Sequence, residues 1–202
     1  MGLPLQPDLT PWTAGHRRLL IITLVVLATM VLGAFAHARQ EPTRLLGSHG
    51  RPGNEDYLTA AIRLIDSAQR RVTVAIYVIR IDADGPVEHL IQALSAAVRR
   101  GVDVRVVLDR GKDWRTGALD TKHLEPAERL AQGGVRVVLD EDERTTHAKV
   151  VVVDDRHVIV GSHNWTRSAL SANREWSLQI DDERIAVQIQ AELAALPGWN
   201  GP

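Results

Sequence analysis

Apolar and polar positions along this chain switch repeatedly between two periods. Leu58, Ala61, Ile62, Ile65 and Ala68 recur three or four residues apart and predict an amphipathic helix, with Asn54 as its cap. An apolar run over 72–79 predicts a strand. Asp84 and Pro86 then open a helix whose apolar stripe is Val87, Leu90, Ile91, Leu94 and Val98, and Gly101 ends it. A second strand is predicted over 102–108, a short helix over 125–131 stopping at Gly133-Gly134, and a third strand over 135–139. A strand over 175–180 and a helix over 182–196 close the pattern, the helix facing inward with Ile185, Ile189, Leu193 and Leu196. Strands alternating with helices predict an α/β layered domain over 55–202. Its sheet is expected to be mixed and largely parallel, flanked by helices, with one antiparallel hairpin.

That hairpin is the densest part of the pattern. Val150 to Val153 and Val158 to Val160 are apolar runs that read as strands buried on both faces, and Asp154-Asp155-Arg156-His157 reads as the break between them. A two-residue turn at Asp155-Arg156 would oppose Lys149 to Ser162 and His147 to Asn164. These four polar groups would then share one face.

The N-terminal part changes the picture of where the domain sits. Residues 1–18 carry Pro4, Pro7 and Pro11 with mixed polarity and read as an unstructured leader ending in Arg17-Arg18. Residues 19–36 hold no charge and predict one hydrophobic helix, long enough to span a bilayer. Ala36-His37-Ala38 would suit cleavage of a signal peptide, but the apolar run exceeds the usual length of one, which favours an uncleaved anchor. The arginine pair favours an exported domain on the extracytoplasmic side, although Arg39, Arg44 and Arg51 oppose that orientation. Residues 37–54 are polar and rich in Gly and Pro, and read as a linker.

Composition narrows the chemistry. The absence of cysteine excludes disulfides, thiolate metal sites and a cysteine nucleophile. A net charge of -1 and 4% aromatic residues argue against a broad nucleic-acid-binding surface. Asp140-Glu141-Asp142-Glu143 reads as a solvated acidic loop rather than a metal cluster. The polar stretch 111–122 is long enough to be functional. Arg110, Lys112 and Arg115 within or beside it could hold phosphates or simply be solvated. His163, Trp165 and Trp176 read as packing residues.

The string His147-x-Lys149-x4-Asp154, then six residues, then Gly161-Ser162-x-Asn164, resembles the phospholipase D superfamily, and Asn173-Arg174-Glu175 extends the likeness. Val74 to Tyr77 and Arg100 to Asp109 resemble the family's lead-in strands, while Thr146 stands where an apolar residue is usual. The resemblance implies metal-free phosphodiester cleavage through a phosphohistidine, with no cofactor. The residue types suit that chemistry. A neutral imidazole at His147 can attack phosphorus, and Lys149 and Asn164 can hold the anionic oxygens. By analogy with the family, Glu175 orients His147, with Ser162 beside it. Asp154, an odd number of residues from Lys149, reads as structural support.

No second His-x-Lys exists in the chain, yet in-line displacement needs a general acid opposite the nucleophile. Single-motif members of the family solve this as homodimers with the site on the two-fold axis, so the resemblance implies a homodimer here. Its short length and single motif point first to a nuclease-type phosphodiesterase resembling the short bacterial endonucleases. The alternative is a phospholipase D acting on phosphatidylcholine or cardiolipin at the membrane held by residues 19–36. A membrane-tethered scaffold without activity is the non-enzymatic alternative.

Overall fold

The computed structural model describes residue 23 and residues 43–49, 55–82, 84–111, 116–140 and 144–199. The chain divides into two units, 1–41 and 42–202, and every strand among the described residues belongs to the second. The expected leader 1–18, the expected hydrophobic helix 19–36 (Thr23 apart) and Asn54 lie outside the described residues. Among the described residues no helix is long and apolar enough to cross a membrane.

Helix α1, Tyr57–Ser67, begins at Asp56, whose carboxylate accepts from Thr59 N at 2.9 Å and so meets one of the helix's orphan donors. Helix α2, Pro86–Arg99, has proline at its start, where the missing N–H costs nothing. The remaining helices are α3, Leu124–Gln132, α4, Arg167–Ser171, and α5, Glu183–Ala194. Asp182 caps α5 by accepting from the N–H groups of Arg184 and Ile185. The short helix α4, capped by Thr166, has too few turns to show a hydrophobic period, and the sequence pattern does not predict it.

Seven strands form one sheet: β1, Thr43–Gly47; β2, Arg71–Ile76; β3, Asp103–Asp109; β4, Arg136–Asp140; β5, Lys149–Val153; β6, His157–Gly161; and β7, Trp176–Asp181. Their order is β1-β7-β6-β5-β2-β3-β4. Only β2 with β3 and β3 with β4 run parallel; every other neighbouring pair is antiparallel. The expected largely parallel sheet is therefore corrected to a mixed sheet in which antiparallel pairs predominate. A parallel neighbour needs a crossover connection, and the segments carrying α2 and α3 supply the two that occur. β1 corrects a second expectation. Part of the stretch expected as a linker, 37–54, is an edge strand whose Leu45 pairs with Leu178 of β7. A five-residue edge strand that buries only Leu46 leaves almost no apolar period to read.

The hairpin register is a third correction. Val150 pairs with Val160 and Val153 with His157, so the turn holds three residues, Asp154, Asp155 and Arg156, not two. Lys149 is consequently not opposite Ser162, nor His147 opposite Asn164. The reason lies in the turn's own chemistry. Asp154 and Asp155 adopt left-handed backbone, with φ of 51 and 56, which aspartate tolerates better than most residues. The Asp154 carboxylate then accepts from the N–H groups of Gln69, Arg70 and Arg71 at 2.8–3.0 Å, tying the turn to the loop before β2.

The core is built on the two faces of the sheet. On one, Val72, Val74, Val106, Val151 and Ile159 pack against α1 and α2, with Leu130 of α3 and Leu170 of α4 joining them. On the other, Ala75, Val107, Val150, Val152 and Val158 pack against Ala186 and Leu193 of α5. One helix cannot cover seven strands. Leu45 of β1, Leu178 of β7 and Val160 of β6 stay exposed at 49%, 41% and 36%.

Candidate active site

The sheet's topology gathers chemistry along one edge. The ends of β2, β3, β4 and β6 and the starts of β5 and β7 all meet there, because antiparallel neighbours end where their partners begin. Tyr77, Asp109, Asp140, Lys149, Ser162 and Glu175 each stand at or just beyond one of these ends.

The segment leading into β5 is held by two buried carboxylates. Asp109 and Asp140 are register partners at the ends of β3 and β4, 3% and 1% exposed. Thr146 donates its backbone N–H to Asp109 at 2.9 Å and its hydroxyl to Asp140. A buried carboxylate without donors is costly, so the threonine that departs from the usual apolar residue has a task here. It fixes the residue before His147.

His147 is exposed and Lys149 half-buried. The Lys149 ammonium donates to the His147 carbonyl at 2.9 Å and lies 3.2 Å from Nδ1 of its ring. Burial lowers the Lys149 pKa, and the charge of Glu175 partly opposes this. Tyr77 packs its ring against the imidazole, with centroids 4.2 Å apart and tilted by 50°. Lys149 and Lys122 place their ammoniums 5.1 and 4.6 Å from the Tyr77 ring centroid. Lys122 also pairs with Asp120 at 3.1 Å and Asp109 at 3.4 Å. Burial pulls its pKa down, but these carboxylates and Tyr77 outweigh it and the net shift is upward.

Across the edge, Ser162 donates to one oxygen of Glu175, and Asn173 Nδ2 donates to the other at 3.0 Å. In the single chain Glu175 thus bonds Ser162 and Asn173, not His147. Gly161 explains the approach of these strands: a Cβ there would lie 2.4 Å from Ser177 Cα, so only glycine lets β6 meet β7 so closely. The chain then leaves the line of β6. Ser162 N donates to Trp176 O at 3.0 Å, whereas Trp165 N donates to Val78 O at 2.9 Å, beyond the end of β2. Residues 162–165 therefore cross the start of β5, which carries Asn164 to the side where Lys149 and His147 stand. Its carboxamide Oδ1 is buried without a partner; half a turn of the amide presents the NH2 donor instead.

Asp154 is not part of this grouping. It lies at the far end of β5 from Lys149, roughly 16 Å away at the rise of an extended strand. Burial pushes its pKa up, but three backbone N–H donors outweigh this and lower it overall. His163 faces inward between Ser177, 2.8 Å from Nδ1, and Ser48, 3.2 Å from Nε2, with its ring stacked on Tyr57. Trp165 is fully buried and donates to the Tyr57 hydroxyl at 3.0 Å. Trp176, expected to pack, is instead 62% exposed, because α5 does not reach that end of β7. Lys112, Arg115 and residues 141–143 lie outside the described residues. The sequence pattern singles out neither Tyr77 nor Lys122 for the site. Tyr77 carries a signal as the aromatic closing a buried strand, but Lys122 carries none beyond its place in the polar stretch.

A mixed sheet whose edge gathers one His-x-Lys pair, a Ser–Glu pair and an asparagine defines a class. A family model described as cardiolipin synthase, PLD-like domain, matches residues 61–197, and the chain belongs to the phospholipase D superfamily. Cardiolipin synthase A of Proteus mirabilis is 37% identical over 106 residues, 50% of this chain and 20% of that protein. The human mitochondrial cardiolipin hydrolase is 31% identical over 134 residues, 66% of this chain and 48% of that protein. The chain thus spans less than half the length of either relative. Its fold matches Nuc of Salmonella typhimurium, a phospholipase D family member, with TM-score 0.59 and 24% identity over 74% of this chain and 90% of Nuc.

Proposed function

We propose that this chain is a phosphodiester hydrolase that works through a covalent phosphohistidine at His147. The observation that carries this reading is the Lys149 ammonium held beside the His147 ring at the sheet edge. A neutral imidazole nitrogen attacks phosphorus and the P–O bond to the leaving group breaks. Lys149 and Asn164 hold the non-bridging oxygens, where negative charge is concentrated in the transition state. The leaving alkoxide takes a proton from a general acid, and water then cleaves the P–N bond to release the product and restore the imidazole. The acid in this proposal is His147 of a second copy of the chain, because the motif occurs once. Glu175, fixed at both oxygens by Ser162 and Asn173, is the carboxylate this reading assigns to balancing the charge that develops on an imidazolium.

His147→Ala should lower turnover of a soluble aryl phosphodiester by at least about a thousandfold. Rapid alkaline denaturation of the wild type, which spares the acid-labile P–N bond, should trap the phosphoryl ester on His147, and EDTA should leave the rate unchanged. A variant that retains activity would remove His147 from the mechanism.

The single motif, with the resemblance to the short bacterial endonucleases, favours nucleic acid as substrate. Phospholipid is favoured by two relatives named for cardiolipin and by the acidic run Asp140 to Glu143 shortly before His147 in the sequence. A polyanion would be repelled by such a run more strongly than a lipid bearing one or two phosphates.

A further inference from the structure

His147 is exposed, and an exposed imidazole visits several rotamers. In-line attack on phosphorus needs one of them held, because a nucleophile misplaced by about 1 Å can cost a hundredfold in rate. The Tyr77 ring, 4.2 Å from the imidazole, supplies a wall for it. That wall is only half-buried, because Tyr77 stands just beyond the end of β2. Lys122 holds it in turn, with its ammonium 4.6 Å from the ring centre. A cation over an aromatic face is attracted by the ring's negative π-cloud, which favours one placement of the ring.

Lys122 is itself fixed. Asp120 accepts from its backbone N–H at 2.8 Å and pairs with its ammonium at 3.1 Å. The next residue, His123, is 1% exposed and bonds both to the chain just beyond β2 and to the last residue of β3. Ile79 N–H donates to its Nε2 at 3.4 Å, so Nδ1 carries the proton and donates to the Asp109 carbonyl at 2.6 Å. The Lys122 ammonium also lies 3.4 Å from one oxygen of buried Asp109. The other oxygen accepts from the N–H of Thr146, the residue before His147. The side chain that restrains the ring is thus tied to the segment leading into the imidazole.

We infer that Lys122 is a positioning residue for the proposed nucleophile, acting on the His147 ring through Tyr77. The inference rests on the phosphodiesterase reading and adds to it a residue that neither touches the substrate nor carries a proton. Two carboxylates and a π-face already surround this ammonium, which leaves it little net charge to offer a phosphate. Lys149, beside the imidazole nitrogen, keeps that role.

The test follows cleavage of bis(para-nitrophenyl) phosphate by the full chain, with kcat and KM resolved. Lys122→Gln keeps a donor for buried Asp109 and removes only the charge over Tyr77, so it should fold. It should lower kcat by roughly tenfold or more, with KM within about twofold of the wild type. Tyr77→Leu should show the same split. The double variant should lose no more than the worse single variant, because both changes break one line of contacts. Lys122→Arg, which keeps the charge, should recover most of kcat. An unchanged kcat in Lys122→Gln would overturn the inference. A raised KM at constant kcat would do so too, because it would put Lys122 on the substrate. So would losses that multiply in the double variant, or a kcat loss matched by a lower folded fraction in circular dichroism. A wild type inactive on the diester, or a His147→Ala variant as fast as the wild type, would instead sink the phosphodiesterase reading, and this inference with it.

Discussion

His163 sits between two residues of the proposed site, Ser162 and Asn164, yet its side chain serves the fold. It is fully buried, bonded to Ser177 and Ser48 and stacked on Tyr57. Burial pushes its pKa down from 6.5 to about 4. Above pH 6.5 both folded and unfolded states keep the ring neutral. Between 6.5 and about 4 the unfolded chain takes up a proton that the native chain refuses, so stability falls as pH drops through that window and levels off below it. The loss should reach about 3 kcal/mol. Urea midpoints measured against pH should show this slope in the wild type and a flatter one in His163→Gln. Equal slopes would mean that another group titrates.

At the scale of elements, the β5–β6 hairpin depends on a contact that neither strand contains. Asp154 accepts from the N–H groups of Gln69 and Arg70 in the loop before β2 and of Arg71 at the start of that strand, and holds left-handed backbone. Asp154→Ala loses those bonds and places a less tolerant residue at positive φ, costing about 2 kcal/mol. Asp154→Asn keeps an acceptor and the backbone preference, and should recover part of the loss. Because Asp154 lies at the far end of β5 from Lys149, the folded fraction of either variant should cleave a soluble diester at nearly the wild-type rate. Thermal melts paired with activity per folded molecule check this. A variant with normal stability and no activity would contradict the structural role.

For the whole molecule, the proposed mechanism makes the single chain half of a site. Specific activity per protomer should therefore fall on dilution, in step with the dissociation of dimers seen by light scattering. The rate should also be bell-shaped in pH, because one imidazole must be neutral while its counterpart carries a proton. A rate proportional to protein at all concentrations, with a flat profile from about pH 5 to 9, would argue for a complete site within one chain.

The sequence by itself determined where most elements lie and which residue types could act on a phosphodiester. Burying one face imposes a period that survives in the order of residues, as in α2 and α5, and burying both leaves an unbroken apolar run, as in β5. The short motif from His147 to Asn164 carried the family resemblance without any knowledge of pairing. What lacked a local signature was decided by tertiary structure. β1 was legible only through its pairing with β7. The three-residue turn followed from backbone donors more than eighty residues away. Tyr77 and Lys122 joined His147 because β2 and the polar stretch after β3 end at one sheet edge. Asn164 reached the neighbourhood of Lys149 because residues 162–165 leave β6 and bond to the continuation of β2. Periodicity records what a residue's own element must bury. It holds no record of which distant strand end will stand beside it.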